Sequence, residues 1–263
     1  MKTKKYFLMA VAGMLALSGC SNDDKDMTPR NAPREMTFTA GYNDGATTRT
    51  TLDGDTYNVS FDAGDGISIF SANNDNVKFT TSAGGATATF TGTATEGDPT
   101  YFAIYPYTDG LSLVGTTIQN VWIPSTQDVS AGWDPKAPIA FATTTGSSLT
   151  FHNACALLKI FNDSGDNNTI FILEASGEGT LAGKYALDTT TGIMSVQAGQ
   201  ESYEVMAVNV PNSTMVYIAI APGTIGYLSV TEFNHGGHKE KETPFTFEAG
   251  KIYYLGMTSS WSD

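Results

Sequence analysis

Beyond residue 35, apolar and polar positions alternate, or run apolar, over strand-like lengths along almost the whole chain. "MTFTAGY" (36–42), "DGISIFS" (65–71), "VKFTTS" (77–82), "TATFTGT" (87–93) and "YFAIYPY" (101–107) open the series. "ALLKIFN" (156–162), "TIFILEA" (169–175), "YEVMAVNV" (203–210), "TMVYIAIAP" (214–222), "GYLSVTEF" (226–233) and "FTFEAGKIYYLGM" (245–257) continue it. These runs are rich in Thr, Val, Ile, Tyr and Phe and are bounded by Gly, Asn, Asp and Pro, the signature of strands separated by turns. "HNACALLKIFN" comes nearest to a helical stripe, but its β-branched and aromatic ending favours a strand. Many short strands without helices between them predict an all-β chain built as sandwiches, not a parallel sheet.

One stretch returns. "YFAIYPYTDGLSL" (101–113) aligns with "YIAIAPGTIGYLSV" (217–230) when Tyr227 is taken as an insertion. A buried strand ended by proline is a common pattern, but the shared Thr, Gly and Leu-Ser extend the match past it. A repeat of this kind implies two similar β-sandwiches. The expected division falls at the Thr- and Gly-rich "TTTGSS" (143–148), giving domains over residues 36–148 and 149–263.

The N-terminus obeys a different pattern. Lys2, Lys4 and Lys5 precede an apolar run over residues 6–17, too short to span a bilayer and suited to a secretory signal. Leu17-Ser18-Gly19-Cys20 resembles the bacterial lipobox, which implies a signal peptide over residues 1–19 and a lipid on Cys20. Residues 20–35 then form an acidic tether, and "SNDDKD" (21–26) resembles the export signal of surface lipoproteins in the Bacteroidetes. With Cys20 lipidated, Cys155 has no partner and reads as a small buried apolar residue. Loss of residues 1–19 removes three lysines and deepens the net charge from −13 to −16. So acidic a surface repels phosphate backbones, so no nucleic-acid partner is expected.

Candidate chemistry is sparse, and no enzyme, metal or cofactor is expected. His235-Gly-Gly-His238, with Glu232 and Glu240 beside it, has metal-ligating residue types, but two histidines across two glycines lack a rigid element and read as an exposed hairpin turn. His152 reads as structural. Neither a G-x-S-x-G nor an S-x-x-K constellation is present, and the glycine pairs lie between strands rather than ahead of a helix. The oxygen-rich segments 163–168 and 52–55 lack EF-hand spacing and suit tight turns. Among Trp122, Trp133 and Trp261, Trp133 in "SAGWDPKAP" is the best placed to stack on a sugar, although packing is the expected role of all three.

Taken in order, the lipobox, "TRT" (48–50), "FDAGDGISIFS" (61–71), "YFAIYPY", "FHNACALLKI" (151–160), "LAGKYALDTTTG" (181–192) and "FEAGKIYYLG" (247–256) resemble the fimbrillin family, the Mfa-like type V pilins of the Bacteroidetes. The resemblance covers nearly the whole chain. It implies two transthyretin-like β-sandwiches, a lipid-anchored precursor on the outer face of the outer membrane, and a structural or accessory subunit of adhesive surface fimbriae. It implies further that a trypsin-like protease cuts after an arginine, for which Arg49 is the candidate in the accessible "NDGATTR" loop. The strand carrying Met36, Phe38, Ala40 and Tyr42 would then leave, and a segment of another subunit would pair with the exposed edges. Ile252, Tyr253, Tyr254 and Leu255, in the apolar C-terminal strand, are the candidate donor. The alternative is a monomeric surface lipoprotein that binds glycans or host ligands and keeps Cys20 as a permanent tether.

Overall fold

The computed structural model describes residues 32–42, 60–96, 99–241 and 244–260; Cys20, Arg49, Trp261 and residues 52–55 lie outside them. The chain begins with β1 (Pro33–Tyr42), β2 (Gly66–Ser71), β3 (Asn74–Thr81), β4 (Thr87–Thr95) and β5 (Tyr101–Tyr105). It continues through β6 (Ser112–Val114), β7 (Thr117–Ile123), β8 (Thr126–Asp128), β9 (Ala140–Thr144) and β10 (Ser148–Asn153). Next come β11 (Ala156–Asn162), β12 (Thr169–Ser176), β13 (Ala182–Asp188), β14 (Met194–Ser202), β15 (Glu204–Val210) and β16 (Thr214–Ile220). The last strands are β17 (Gly223–Ile225), β18 (Tyr227–Glu232), β19 (His238–Lys241), β20 (Phe245–Phe247) and β21 (Ile252–Met257), before a 3-10 turn at Thr258–Ser260. That turn is the only helical element among the described residues, so the fold is all-β, as the periodicity predicts.

Two hydrophobic cores organise these strands. The first lies inside a sheet that closes on itself in the order β1-β10-β9-β5-β2-β3-β4. Phe38, Phe61, Phe79, Phe90 and Phe151 fill it, with Ile67, Ile69 and Leu149 between them. Each strand contributes alternate residues, because successive side chains on a strand point to opposite faces. The second, larger core is surrounded in sandwich-like fashion by the sheets β16-β11-β21, β19-β18-β12-β15-β8, β14-β13-β7-β6 and β17-β20.

The chain crosses between the cores more than once. β6, β7 and β8 pair only with each other or with strands after residue 181. β9 and β10 return to the barrel. "TTTGSS" is the turn between β9 and β10 within that barrel, because its Thr and Gly suit a turn as well as a linker. The two copies of the repeated frame become β5 and β16, both buried and both followed by a proline turn. Gln127, fully buried, substitutes for main chain here: its amide donates to the Ala219 carbonyl at 2.7 Å and accepts from the Ala219 N–H at 2.9 Å. A side chain thereby completes the hydrogen bonding of β16 where no strand lies beside it.

Gly92 in β4 shows how tightly the barrel is packed. A β-carbon there would sit 2.7 Å from the Phe79 ring and 2.8 Å from the Lys78 carbonyl, closer than atoms pack without displacement. Gly92→Ala should therefore cost about 1–3 kcal/mol by overpacking, seen as a lower urea midpoint at unchanged m-value.

Candidate functional site

The first and last strands are the elements that subunit exchange would use, and they are held differently. β1 lies between two partners: it runs antiparallel to β4 from Pro33–Thr95 to Gly41–Thr87 and parallel to β10 from Thr39–Ser148 to Tyr42–Phe151. Its alternation puts Phe38 and Ala40 inside, at 1% and 0% exposure, with Met36 and Tyr42 half-buried along the same face. Phe38 meets Phe79 and Tyr101 edge-on at centroid distances of 5.4 and 5.1 Å. Tyr42 stacks on Phe61 at 5.5 Å. An ion pair from Arg34 to Glu96 fastens the N-terminal end at the surface. Without β1, β4 and β10 would present bare main-chain edges above a floor of Phe79, Phe61 and Phe151.

β21 has a partner on one side only. It runs parallel to β11, from Leu157–Ile252 to Phe161–Met257, and ends the sheet. Lys159 pairs with Tyr254 and Ile160 with Gly256, so Leu255 is an extra residue, a bulge accommodated by Gly256 at φ +99°. Ile252, Tyr253 and Leu255 are half-buried, whereas Tyr254 is 57% exposed. The Lys159 ammonium sits between the Tyr217 and Tyr254 rings, 5.9 and 5.8 Å from their centroids.

Asp163 holds the end that follows β21. It accepts from the Thr258 hydroxyl and the Ser259 N–H, both at 2.7 Å, and from the Ser259 hydroxyl at 2.5 Å. Desolvation disfavours its charge, but these hydrogen bonds together outweigh it and hold the carboxyl below its ordinary range. The oxygen-rich turn at 163–168 thus serves as a clasp for the C-terminus.

The other candidates resolve into packing and turns. His235 lies in the β18–β19 turn and His238 opens β19. His235 lies 3.3 Å from Glu232 and 3.7 Å from Asp166, while His238 faces Glu240 at 2.7 Å, on a different carboxylate. Glu232, 1% exposed, accepts from Thr169 and from the N–H groups of Asn234 and His235, at 3.2 and 2.8 Å. Desolvation opposes its ionisation, yet those bonds keep its carboxyl below the usual range. No cluster of three metal-ligating residues occurs among the described residues. Burial pushes the Cys155 thiol up to about 12, against the hydrogen bond from the Ile139 N–H at 3.4 Å, so it is an inert packing group. His152 is exposed and lies against Phe141.

The tryptophans depart from expectation. Trp133 is half-buried and bridges to Tyr217, whereas Trp122 is 53% exposed near the C-terminal end of β7, paired with Lys184 of β13. The outward position of Trp122 follows from the alternation of β7, where Val121 and Ile123 take the core side. A weak, polar strand pattern in "TIQNVWI" concealed it.

No protein-family model matches the chain, and no curated protein matches it. Solved structures do. A candidate cell adhesion protein from Bacteroides uniformis is 18% identical over 87% of this chain and 94% of its own, with a TM-score of 0.52. A second, from Bacteroides ovatus, is 15% identical over 86% and 92%, with a TM-score of 0.49. A fimbrial protein from Bacteroides vulgatus is 12% identical over 84% and 94%, with a TM-score of 0.34.

Two measurements check the geometry. Phe38→Ala should cost about 3–5 kcal/mol by cavity formation, read from chemical denaturation. The Asp163 clasp should be intact at neutral pH. Because its folded pKa is depressed, its contribution should fall away as the pH drops through that lowered value. Asp163→Asn should speed exchange of the Ser259 amide at neutral pH, and the difference from wild type should vanish in strong acid. The chain shares the all-β fold of the candidate cell adhesion protein from Bacteroides uniformis, the fold class implied by its resemblance to the fimbrillins.

Proposed function

We propose that the chain is a structural or accessory subunit of adhesive cell-surface fimbriae, delivered to the outer membrane as a lipoprotein through Cys20 and joined to other subunits by strand exchange. The observation that carries this reading is the seating of β1: it is the first described strand, it closes the barrel, and it fills the core with Phe38 and Ala40. Cleavage after Arg49 would separate β1 from the body and take Cys20 with it. The edges of β4 and β10 would then be open to an extended segment, supplying main-chain hydrogen bonds for affinity and the Phe38 and Ala40 positions as side-chain pockets. The strand carrying Ile252, Tyr253, Tyr254 and Leu255 suits the donor role, since it is apolar and bonded on one side only. Head-to-tail donation does not close and so grows a filament. The adhesion name of the Bacteroides uniformis structure supports the surface role, and nothing in this mechanism requires an enzyme activity.

A second reading, a monomeric glycan-binding lipoprotein, draws on the exposed Trp122 beside Lys184. Limited trypsin digestion of the mature protein separates the two. Under the fimbrial reading, cleavage at Arg49 releases the segment containing Met36 to Tyr42, and ladders resistant to SDS follow. Arg49→Ala should abolish both. A clean cut at Arg49 without oligomers would overturn strand exchange, and Trp122-dependent retention on a glycan array would favour the second reading.

A further inference from the structure

A groove of about 460 Å³ opens between β19 and β21, each the last strand of its sheet. Leu228 and Val230 of β18 form its floor, and Ile252 and Leu255 lie along one wall. Phe245, Phe247 and Tyr253 pack edge-on against one another at 4.9 to 5.1 Å, making one end aromatic. The volume and the apolar lining match those of sites for drug-sized molecules.

Two of the three charged groups lining this groove are cationic, in a chain of net charge −13. Lys239 and Lys241 line it, and neither has a carboxylate partner among the described residues. Glu240 also lines it; one of its oxygens, Oε1, takes both the Tyr227 hydroxyl at 2.5 Å and His238 at 2.7 Å, and these bonds hold the carboxyl below its usual range. Lys241 holds its ammonium 5.0 Å from the Phe245 ring centroid. Lys239 reaches across the opening, its nitrogen 3.4 Å from where a β-carbon on Gly256 would sit.

We infer that the β19–β21 groove binds an amphipathic organic anion, an apolar body lodged on Leu228, Val230, Phe245 and Tyr253 with a carboxylate or sulfate held by Lys239 and Lys241. Such a ligand buries apolar surface, worth about 25 cal/mol per Å², and meets positive charge only at the rim. This site is separate from the β1 seat; because β21 forms one wall, it belongs to the subunit while that strand is still paired with β11.

Dodecanoate is a suitable probe, added to the purified full chain and read by displacement of the fluorescent anion 8-anilinonaphthalene-1-sulfonate. The expected result is saturable one-to-one binding, with dodecanol, its neutral counterpart, much weaker. The double variant Lys239→Ala, Lys241→Ala should bind about tenfold more weakly, as two partly exposed ion pairs warrant, at an unchanged melting temperature. Leu255→Trp, which fills the groove without adding charge, should also reduce binding. Equal binding by wild type and the lysine variant, or by dodecanoate and dodecanol, would overturn the inference. So would displacement of the dye by an acidic extended peptide with new exchange protection along β19 and β21, which would mark the groove as a strand acceptor instead.

Discussion

Main-chain hydrogen bonding around a closed sheet is the constraint on which the first half of the molecule rests. A barrel leaves no bare edge only while every strand is in place. β1 is the strand that satisfies both β4 and β10, and it joins them through an antiparallel ladder on one side and a parallel one on the other. Its side chains are inseparable from that role, since Phe38 touches Phe79 and Tyr101 while Tyr42 covers Phe61. Around 0.5–1.5 kcal/mol for an aromatic contact beyond its buried area makes this strand costly to lose and valuable to replace.

Much of the architecture was legible because a half-buried strand advertises itself by alternation. β2, β3, β4, β11, β12, β15 and β16 all fall on runs that the periodicity marks. Among the strands it passes over, β7, β13 and β14 share a cause: they are polar on one face and interrupted by bulges at Tyr185–Leu187 and Gly183–Tyr185, which break the period of two. Pairing across distance left no local trace. Nothing in "MTFTAGY" announces that it lies parallel to residues more than a hundred positions later, and nothing in "TTTGSS" separates a hairpin turn from a linker.

Side-chain chemistry was read less evenly. The histidine pair and the acidic turn were legible as turns because glycine, asparagine and aspartate have few other uses at such positions. That Asp163 would clasp the C-terminus was not, since its partners Thr258 and Ser259 are ordinary hydroxyl residues nearly a hundred positions away. Loop context singles out Trp133, whereas the side of β7 that faces the core decides the exposure of Trp122. The β19–β21 groove is a property of two sheet ends, and no single segment encodes it.

The short link at Ala154 and Cys155 has a mechanical meaning. β10 ends just before it and β11 begins just after it, so the strand that carries β1 in parallel and the strand that carries β21 in parallel are one continuous stretch of backbone, residues 148–162. In a filament joined as proposed, tension entering at the β1 seat would pass to the β21 end along covalent bonds rather than across packed side chains. The ladder beside β10 would be loaded along its strands, where hydrogen bonds resist together instead of parting one by one. A surface fibre that must hold under shear would draw its strength from that fifteen-residue spine.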